Sequence, residues 1–492
     1  MNIGLALLPV IVIFILLFIL KQSSVTAGLM SYIIAVAVAF FTPGFSLGVT
    51  SLFHATVEGL LLTFIVAYVL LFGIWLFHLM NEAGLIQTIA SHISVSTKDP
   101  ARQALILVIA FSPLVESVSG FGIAVIVIAP ILIALGFDRF KAAVLSLVSL
   151  TVVPWGALST GTVIGANLTN LSLHSLGAGT ALLSMPIFLY FTIVTVYLVG
   201  GCKEIKKKWL EILLVSGALF GATWFFSAYV SVELAGVFAS LAALSIEMLF
   251  IRFGEKIETE VAASVDKKDS LMKALSPYIV LTGMLFLSRL VPVFENWLNT
   301  HAVFEWEAYD FRLPMLYSPG FFLLITCLFA IIFFNIRFQT VKKSFKGTVK
   351  QWVPVNLSML GFVAMAEVMS SSGMTTLLAE AGAEKLGAAF VLLSPIIGGI
   401  GGFLTGSNTG SNAMFIKLQV QTANYLGVSP EWLANSQNAS SGHMTMASPS
   451  RVLLGASVSG IKSEENKILK KMAAIASMAL LMILVEMWLI HF

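Results

Sequence analysis

The sequence predicts an all-α polytopic membrane protein built from two inverted repeats, each with a re-entrant hairpin and a broken transmembrane helix. Three observations carry this prediction. Hydrophobic residues fill 58% of the 492 positions and charged residues only 11%, against about 25% charged in an average soluble domain, so the whole chain is one bilayer-embedded unit. Residues 112–121, SPLVESVSGF, are partly repeated at residues 394–403, SPIIGGIGGF. Lysine and arginine clusters fall between the apolar runs, and placing them in the cytoplasm orients the spans.

The length allows about 12 crossings of roughly 20 residues each, plus two hairpins. The first apolar run, residues 3–20, has no basic segment before it and Lys21 after it, the arrangement of a first span rather than of a cleaved signal peptide. It runs inward, 25–42 runs outward, and 57–79 returns, leaving Lys98 and Arg102 inside. Residues 104–135 are too long for one span, are interrupted at Pro113, Gly120 and Gly122, and are followed by Asp138, Arg139 and Lys141. Entry and exit on one side make this the first hairpin.

Residues 142–170 then cross outward, broken at 154–162, PWGALSTGT. Spans near 178–199, 209–230, 234–251, 271–292 and 317–335 alternate from there, and residues 178–335 are expected to be largely scaffold. Their basic loops at 203–208, 252–273 and 337–350 fall inside, while the acidic, aromatic loop 293–316 falls outside. Residues 352–370 run outward, 394–419 form the second hairpin from the outside, and 441–460 return through a break at Ser448-Pro449. A last span leaves both termini outside a cell membrane. The repeat cores are 57–170 and 352–460, with opposite orientation; Met80 and Gly84 match Met369 and Gly373, and Gly165-Ala166 matches Gly455-Ala456. Inverted repeats with discontinuous helices are a secondary-transporter architecture.

Several function classes fall away. The net charge of +3 is explained by cytoplasmic loops, with no nucleic-acid partner. Cys202 and Cys327 show no pairing pattern, and there is no HExxH, no phosphate-binding glycine loop and no metal-ligand cluster. GFSLG at residues 44–48 matches a serine-nucleophile pattern but lacks the strand-to-helix turn that such a serine needs. The chain reads as no enzyme, with no cofactor and no metal. An intramembrane enzyme and a channel are the alternatives from other classes, and the oligomeric state, a homodimer included, stays open.

The polar residues collect at the hairpin turns and helix breaks, where unpaired backbone N–H groups and helix dipoles favour a small anion. The substrate-binding candidates are Ser117, Ser119, Gly120, Gly122, Ser159 and Thr160 in the first half, and Ser407, Asn408, Thr409, Ser411, Asn412, Ser450 and Arg451 in the second. Arg451 stands in an apolar crossing segment and can either grip a carboxylate or pair structurally with Glu116 or Glu367. Glu116, Glu367 and His443 are the candidates for proton or ion coupling, each with a structural alternative as a paired or hydrogen-bonded group.

At these residues the sequence resembles the L-lactate permease family. The matching pieces are SPLVESVSGFG followed by IALGF, GGFLTGSNTGSNAMFIKLQ, and MASPS. The resemblance implies a proton symporter for lactate and related 2-hydroxy monocarboxylates such as glycolate, with an elevator-type motion of the domain that holds both hairpins. One departure is visible. Where family members carry a lysine shortly before the second Ser-Pro, this chain has Thr445, and Arg451 lies just after that motif. Sodium coupling and a related organic anion, another carboxylate or a sulfonate, form the alternative within transport.

Overall fold

The computed structural model describes residues 3–254 and 266–491. Among them, eight helices are long and apolar enough to cross a membrane, and ten spans result if each of two bent pairs is one span. The bent pairs are Arg139–Val148 with Val153–Thr169, at 61°, and Met272–Leu290 with Pro292–Thr300, at 93°. The expected dozen also includes Ile3–Ile19 and Pro319–Phe333, which are apolar but shorter. At 1.5 Å per residue a helix of that length covers less than the full hydrocarbon thickness unless its ends are wetted.

The same order of elements occurs in both halves. A 34-residue helix, Val49–Glu82, is followed by left-handed Gly84 and the helix Leu85–Ser96. Its counterpart, Phe338–Ser371, also 34 residues, is followed by left-handed Gly373 and the helix Met374–Leu386. Both glycines sit at φ above +70°, where a side chain is strained, so the Met-Gly match in the sequence marks one recurring turn. Next comes an apolar helix broken by glycine, Ser112–Ser119 to Ile123–Ala134 in one half and Ala389–Thr405 to Asn408–Leu426 in the other. Last is a helix interrupted by a short 3-10 turn, Val153–Trp155 before Gly156–Thr169, and Thr445–Ala447 between Pro430–Met444 and Pro449–Val458.

The long helices pack through small residues, as membrane helices do when backbones approach closely. A Cβ on Gly361 would overlap the backbone of Gly28, and one on Gly59 would overlap Ala364. This block also meets the elements around the breaks, since a Cβ on Gly73 would overlap the carbonyl of Val118. There, Ser159 donates to the carbonyl of Val232 at 2.7 Å, Trp155 Nε1 donates to Ser227 at 3.0 Å, and Gly236 leaves room for the Ser117 hydroxyl. The helices Trp209–Tyr229 and Val232–Gly254 therefore interlock with the broken elements.

Two features escape the sequence pattern. The outer loop is partly β: Val303–Trp306 pairs antiparallel with Phe311–Pro314, and Arg312 meets Glu305 across the strands at 2.9 Å. The all-α fold class stands with this small addition, because aromatic side chains alternating with polar ones suit a short hairpin lying on the flank of Val49–Glu82. Arg102, expected in a cytoplasmic loop, is buried, bonding Glu211 through Nε at 2.8 Å and Nη2 at 3.0 Å. Lys208 joins them, 2.8 Å from Asp99 and 3.1 Å from Glu211.

Candidate functional site

Four backbone breaks converge on one place. The first glycine-broken helix turns through Gly120, Phe121 and Gly122, all at positive φ, and the helix Gly156–Thr169 places Ala157, Leu158 and Ser159 at φ +49° to +63°. A Cβ on Gly120 would overlap Ala157, so this turn and this break are in direct contact. The second glycine-broken helix turns at Gly406, φ +64°, and Ser407 caps the next helix by accepting from Gly410 N at 3.1 Å. Ser448 does the same for the second broken helix, accepting from Arg451 N at 3.3 Å. The N-terminal ends of the helices Asn408–Leu426 and Pro449–Val458 thus border one cavity.

Arg451 holds the place where the breaks converge. Its guanidinium is 6% exposed and donates through Nε and Nη2 to the carbonyl of Gly406, at 3.1 and 3.0 Å, while Nη1 has no partner in the protein. A Cβ on Gly122 would overlap the same guanidinium, so glycine there is required both by its left-handed φ and by the arginine. Glu116, 1% exposed, accepts the Gly122 N–H at 3.0 and 3.2 Å through its two oxygens. Glu116 and Arg451 line one small cavity of about 20 Å³ between the two turns, with Gly120, Thr160, Gly161, Asn408 and Thr409.

A larger cavity of about 400 Å³ lies against it, lined by Phe121, Gln351, Met359, Phe362, Ser407, Thr409, Ser450 and Arg451. On the far side a third, polar cavity of about 670 Å³ is lined by Glu58, Asn170, Asp310, Arg312, Glu367 and Lys417.

Of the residues expected at the site, Glu116, Gly120, Gly122, Thr160, Ser407, Asn408, Thr409, Ser450 and Arg451 are brought together by these turns and cavities. The others lie elsewhere in the hydrogen-bond plan. Ser119 donates to Val115 O at 2.6 Å within its own helix, Ser159 to Val232 O, and Ser117 is buried against Gly236. Ser411 donates to Gly398 O at 3.2 Å, joining the helix Asn408–Leu426 to the helix Ala389–Thr405. Glu367 forms an ion pair with Lys417 at 3.0 Å in the third cavity. His443 lies between Phe188 and Phe191, with Nε2 2.9 Å from Ser184. Because Ser184 spends its hydrogen on Thr180 O, Nε2 is the donor and His443 is fixed as one tautomer.

Asn412 belongs to a buried amide network under the turns. Asn438 Oδ1 accepts from Asn408 and Asn412, each at 2.8 Å, and Asn438 Nδ2 donates to Thr162 at 3.0 Å and Thr180 at 2.9 Å. Gln437, Gln419 and Ser394 extend it, through short Gln419–Gln437 and Ser394–Gln419 hydrogen bonds. Thr180, Gln437 and Gln419 are absent from the sequence-based set, as are Phe121 and Gly161. The visible signal for part of this group is residues 435–443, NSQNASSGH, a polar run that is wholly buried. Among the described residues no group of three or more His, Cys, Asp or Glu could hold a metal. Ser46 of GFSLG is exposed in the loop between two helices, away from the convergence.

Comparison with known proteins now bears on the chemistry. The model of the L-lactate permease family matches residues 3–315 and 304–492. The chain is 26% identical over 440 residues to an L-lactate permease of Streptococcus iniae, covering 87% of this chain and 92% of that protein. It is 25% identical over 508 residues to an L-lactate permease of Escherichia coli K12 and 26% identical over 519 residues to that organism's glycolate permease, each match covering 94% of this chain and 91% of the relative. These relatives are named as permeases, not as enzymes.

Proposed function

The chain belongs to the L-lactate permease family, and from that premise we propose that it is a proton-coupled secondary transporter of small 2-hydroxy monocarboxylates such as lactate and glycolate. The observation that carries the reading is Arg451. A buried guanidinium inside a membrane protein is costly unless it is used, and here one donor, Nη1, has no partner beside a cavity that reaches the surface of the fold. A carboxylate entering there meets Nη1, the Ser450 hydroxyl and the N–H groups at the start of the helix Asn408–Leu426.

In this reading the two glycine-broken helices are re-entrant hairpins of inverted repeats. The helices Leu173–Lys207, Trp209–Tyr229 and Val232–Gly254 travel with them, since buried hydrogen bonds from Asn438 to Thr180, from Trp155 to Ser227 and from Ser159 to Val232 tie these helices to the breaks. That narrows the scaffold expected for residues 178–335. The long helices Val49–Glu82 and Phe338–Ser371, with Ser24–Phe41, form the frame against which an elevator motion would slide. The 400 Å³ cavity opens beside Ser23 and Gln351, next to Lys21 and the basic loop 337–350, which the charge rule places inside the cell membrane; the conformation is inward-facing on that assignment.

Glu116 is the proposed proton carrier, because it is the carboxylate in the same cavity as Arg451. Sodium is the second reading, favoured by the hydroxyl and amide oxygens of Thr405, Ser407, Asn408 and Thr409 at the turn, hard ligands that suit an alkali cation. Uptake of labelled lactate into proteoliposomes tests both. Accumulation driven by an inward proton gradient supports the first; accumulation driven by sodium alone, indifferent to pH, replaces it with the second.

A further inference from the structure

The orientation of three buried amides follows from two backbone carbonyls. Gly161 O can only accept, so the Asn412 atom 3.0 Å from it is the nitrogen. That NH2 group also reaches Asn438 at 2.8 Å, so Asn438 presents Oδ1 to it. Thr162 anchors Asn438 independently. Its hydroxyl hydrogen goes to Pro154 O at 2.6 Å, so it accepts from Asn438 Nδ2 at 3.0 Å. Asn438 Oδ1 also faces Asn408, which must therefore meet it with Nδ2, at 2.8 Å.

Asn408 is left with its oxygen turned away from the network, buried and without a partner in the protein. A buried acceptor in that condition calls for an explanation. Asn408 shares the small cavity with Arg451, whose Nη1 is a buried donor in the complementary condition. Glu116 does not fill the gap, since both its oxygens are directed at Gly122 N. An unpaired acceptor beside an unpaired cationic donor complements a molecule with a hydroxyl and a carboxylate on adjacent atoms. The cavity of about 20 Å³ has room for one water-sized group, so a hydroxyl fits there while the carbon skeleton lies in the larger cavity.

We infer that Asn408 is a specificity-determining residue, its Oδ1 accepting the hydrogen of the substrate's 2-hydroxyl while Arg451 Nη1 holds the carboxylate. The assignment rests on the transport reading above. Its consequence is selection against near-isosteres: propionate leaves Oδ1 unpaired, and pyruvate sets a carbonyl oxygen against it. Sites built to bond a hydroxyl discriminate far more strongly than apolar pockets do.

The test is equilibrium binding of lactate, propionate and pyruvate to purified full-length protein, wild type and variants. Wild type is expected to favour lactate over both others by about tenfold or more. In Asn408→Ala, lactate affinity falls by about that factor and propionate stays within about twofold, so the ratio collapses. Asn408→Ser, which keeps a small polar group at the position but lacks an acceptor that reaches the cavity, gives the same collapse if the alanine variant does not fold. Thr180→Val, at the far side of the same network, lowers the melting temperature and leaves the ratio unchanged. An unchanged ratio in a folded Asn408 variant, an equal loss for all three acids, or a change confined to sodium activation overturns the assignment while the transport reading stands. Absence of saturable binding of any of the acids to wild type overturns both.

Discussion

Arg451 is tied to Gly406: its Nε and Nη2 both donate to that carbonyl, at 3.1 and 3.0 Å, joining the helix Pro449–Val458 to the turn after Ala389–Thr405. Glu116, the partner that charge alone would suggest, instead accepts from Gly122 N at 3.0 Å. Arginine and glutamate thus each clamp one turn and face each other across the cavity that both line. This arrangement leaves the arginine's third nitrogen for a ligand.

Arg451→Gln should weaken lactate binding roughly 10- to 150-fold, the loss expected from about 1.5–3 kcal/mol of charge-assisted hydrogen bonding. Isothermal titration of the purified variant, with its melting curve as the folding control, gives the answer. A folded variant with wild-type affinity would make the charge purely structural.

Gly122→Ala should destabilise the protein and abolish binding together. The added Cβ would meet the guanidinium of Arg451, and φ of +74° is itself strained for alanine, by about 1–3 kcal/mol. Gly136, also at positive φ but with open space around it, is the comparison: Gly136→Ala is expected to cost stability and spare affinity. Equal behaviour of the two variants in melting and binding would argue against the contact.

Glu116→Gln keeps the shape of the side chain and removes its titration. Uptake driven by a proton gradient should be lost in proteoliposomes while lactate–lactate exchange continues. Gradient-driven accumulation at the wild-type level would move the coupling role to another group.

Glu367 and Lys417 form an ion pair at 3.0 Å, with side chains 9% and 23% exposed, on a large polar cavity. A double-mutant cycle with Glu367→Gln and Lys417→Met is expected to give a coupling energy of about 1 kcal/mol or less in thermal unfolding, as for solvent-facing pairs. Lactate affinity of the purified Glu367→Gln protein should stay within about threefold of wild type, since Arg451 and its cavity are elsewhere. A tenfold loss of affinity would place Glu367 in the substrate site after all.

Asn438→Ala removes the hub of the amide network, stripping Asn408, Asn412, Thr162 and Thr180 of one bond each. Leaving buried polar atoms unpaired should cost on the order of 3 kcal/mol, read as a lower unfolding midpoint. A midpoint like that of wild type would mean that the network relaxes around the gap.

The sequence by itself determined what depends on composition and local chemistry. Apolar runs of membrane length, glycine pairs inside them and the Ser-Pro repeats located the breaks, because helix breakers and polar side chains have no ordinary use against lipid. Glu116, the 407–409 run and Arg451 were legible as candidates on the same grounds. Tertiary structure alone decided which polar residues share a space. Ser119, Ser159, Ser411 and His443 look equivalent to Thr160 or Ser450 in the sequence, yet their hydrogen bonds are spent on Val115, Val232, Gly398 and Ser184. A hydroxyl's role depends on which acceptor lies within hydrogen-bond reach, whether four residues away, as for Ser119, or 73 away, as for Ser159, and only the fold decides between them. For the same reason no local pattern could reveal that Asn408 turns its oxygen, not its nitrogen, away from Asn438: that orientation is dictated by the carbonyls of Gly161 and Pro154.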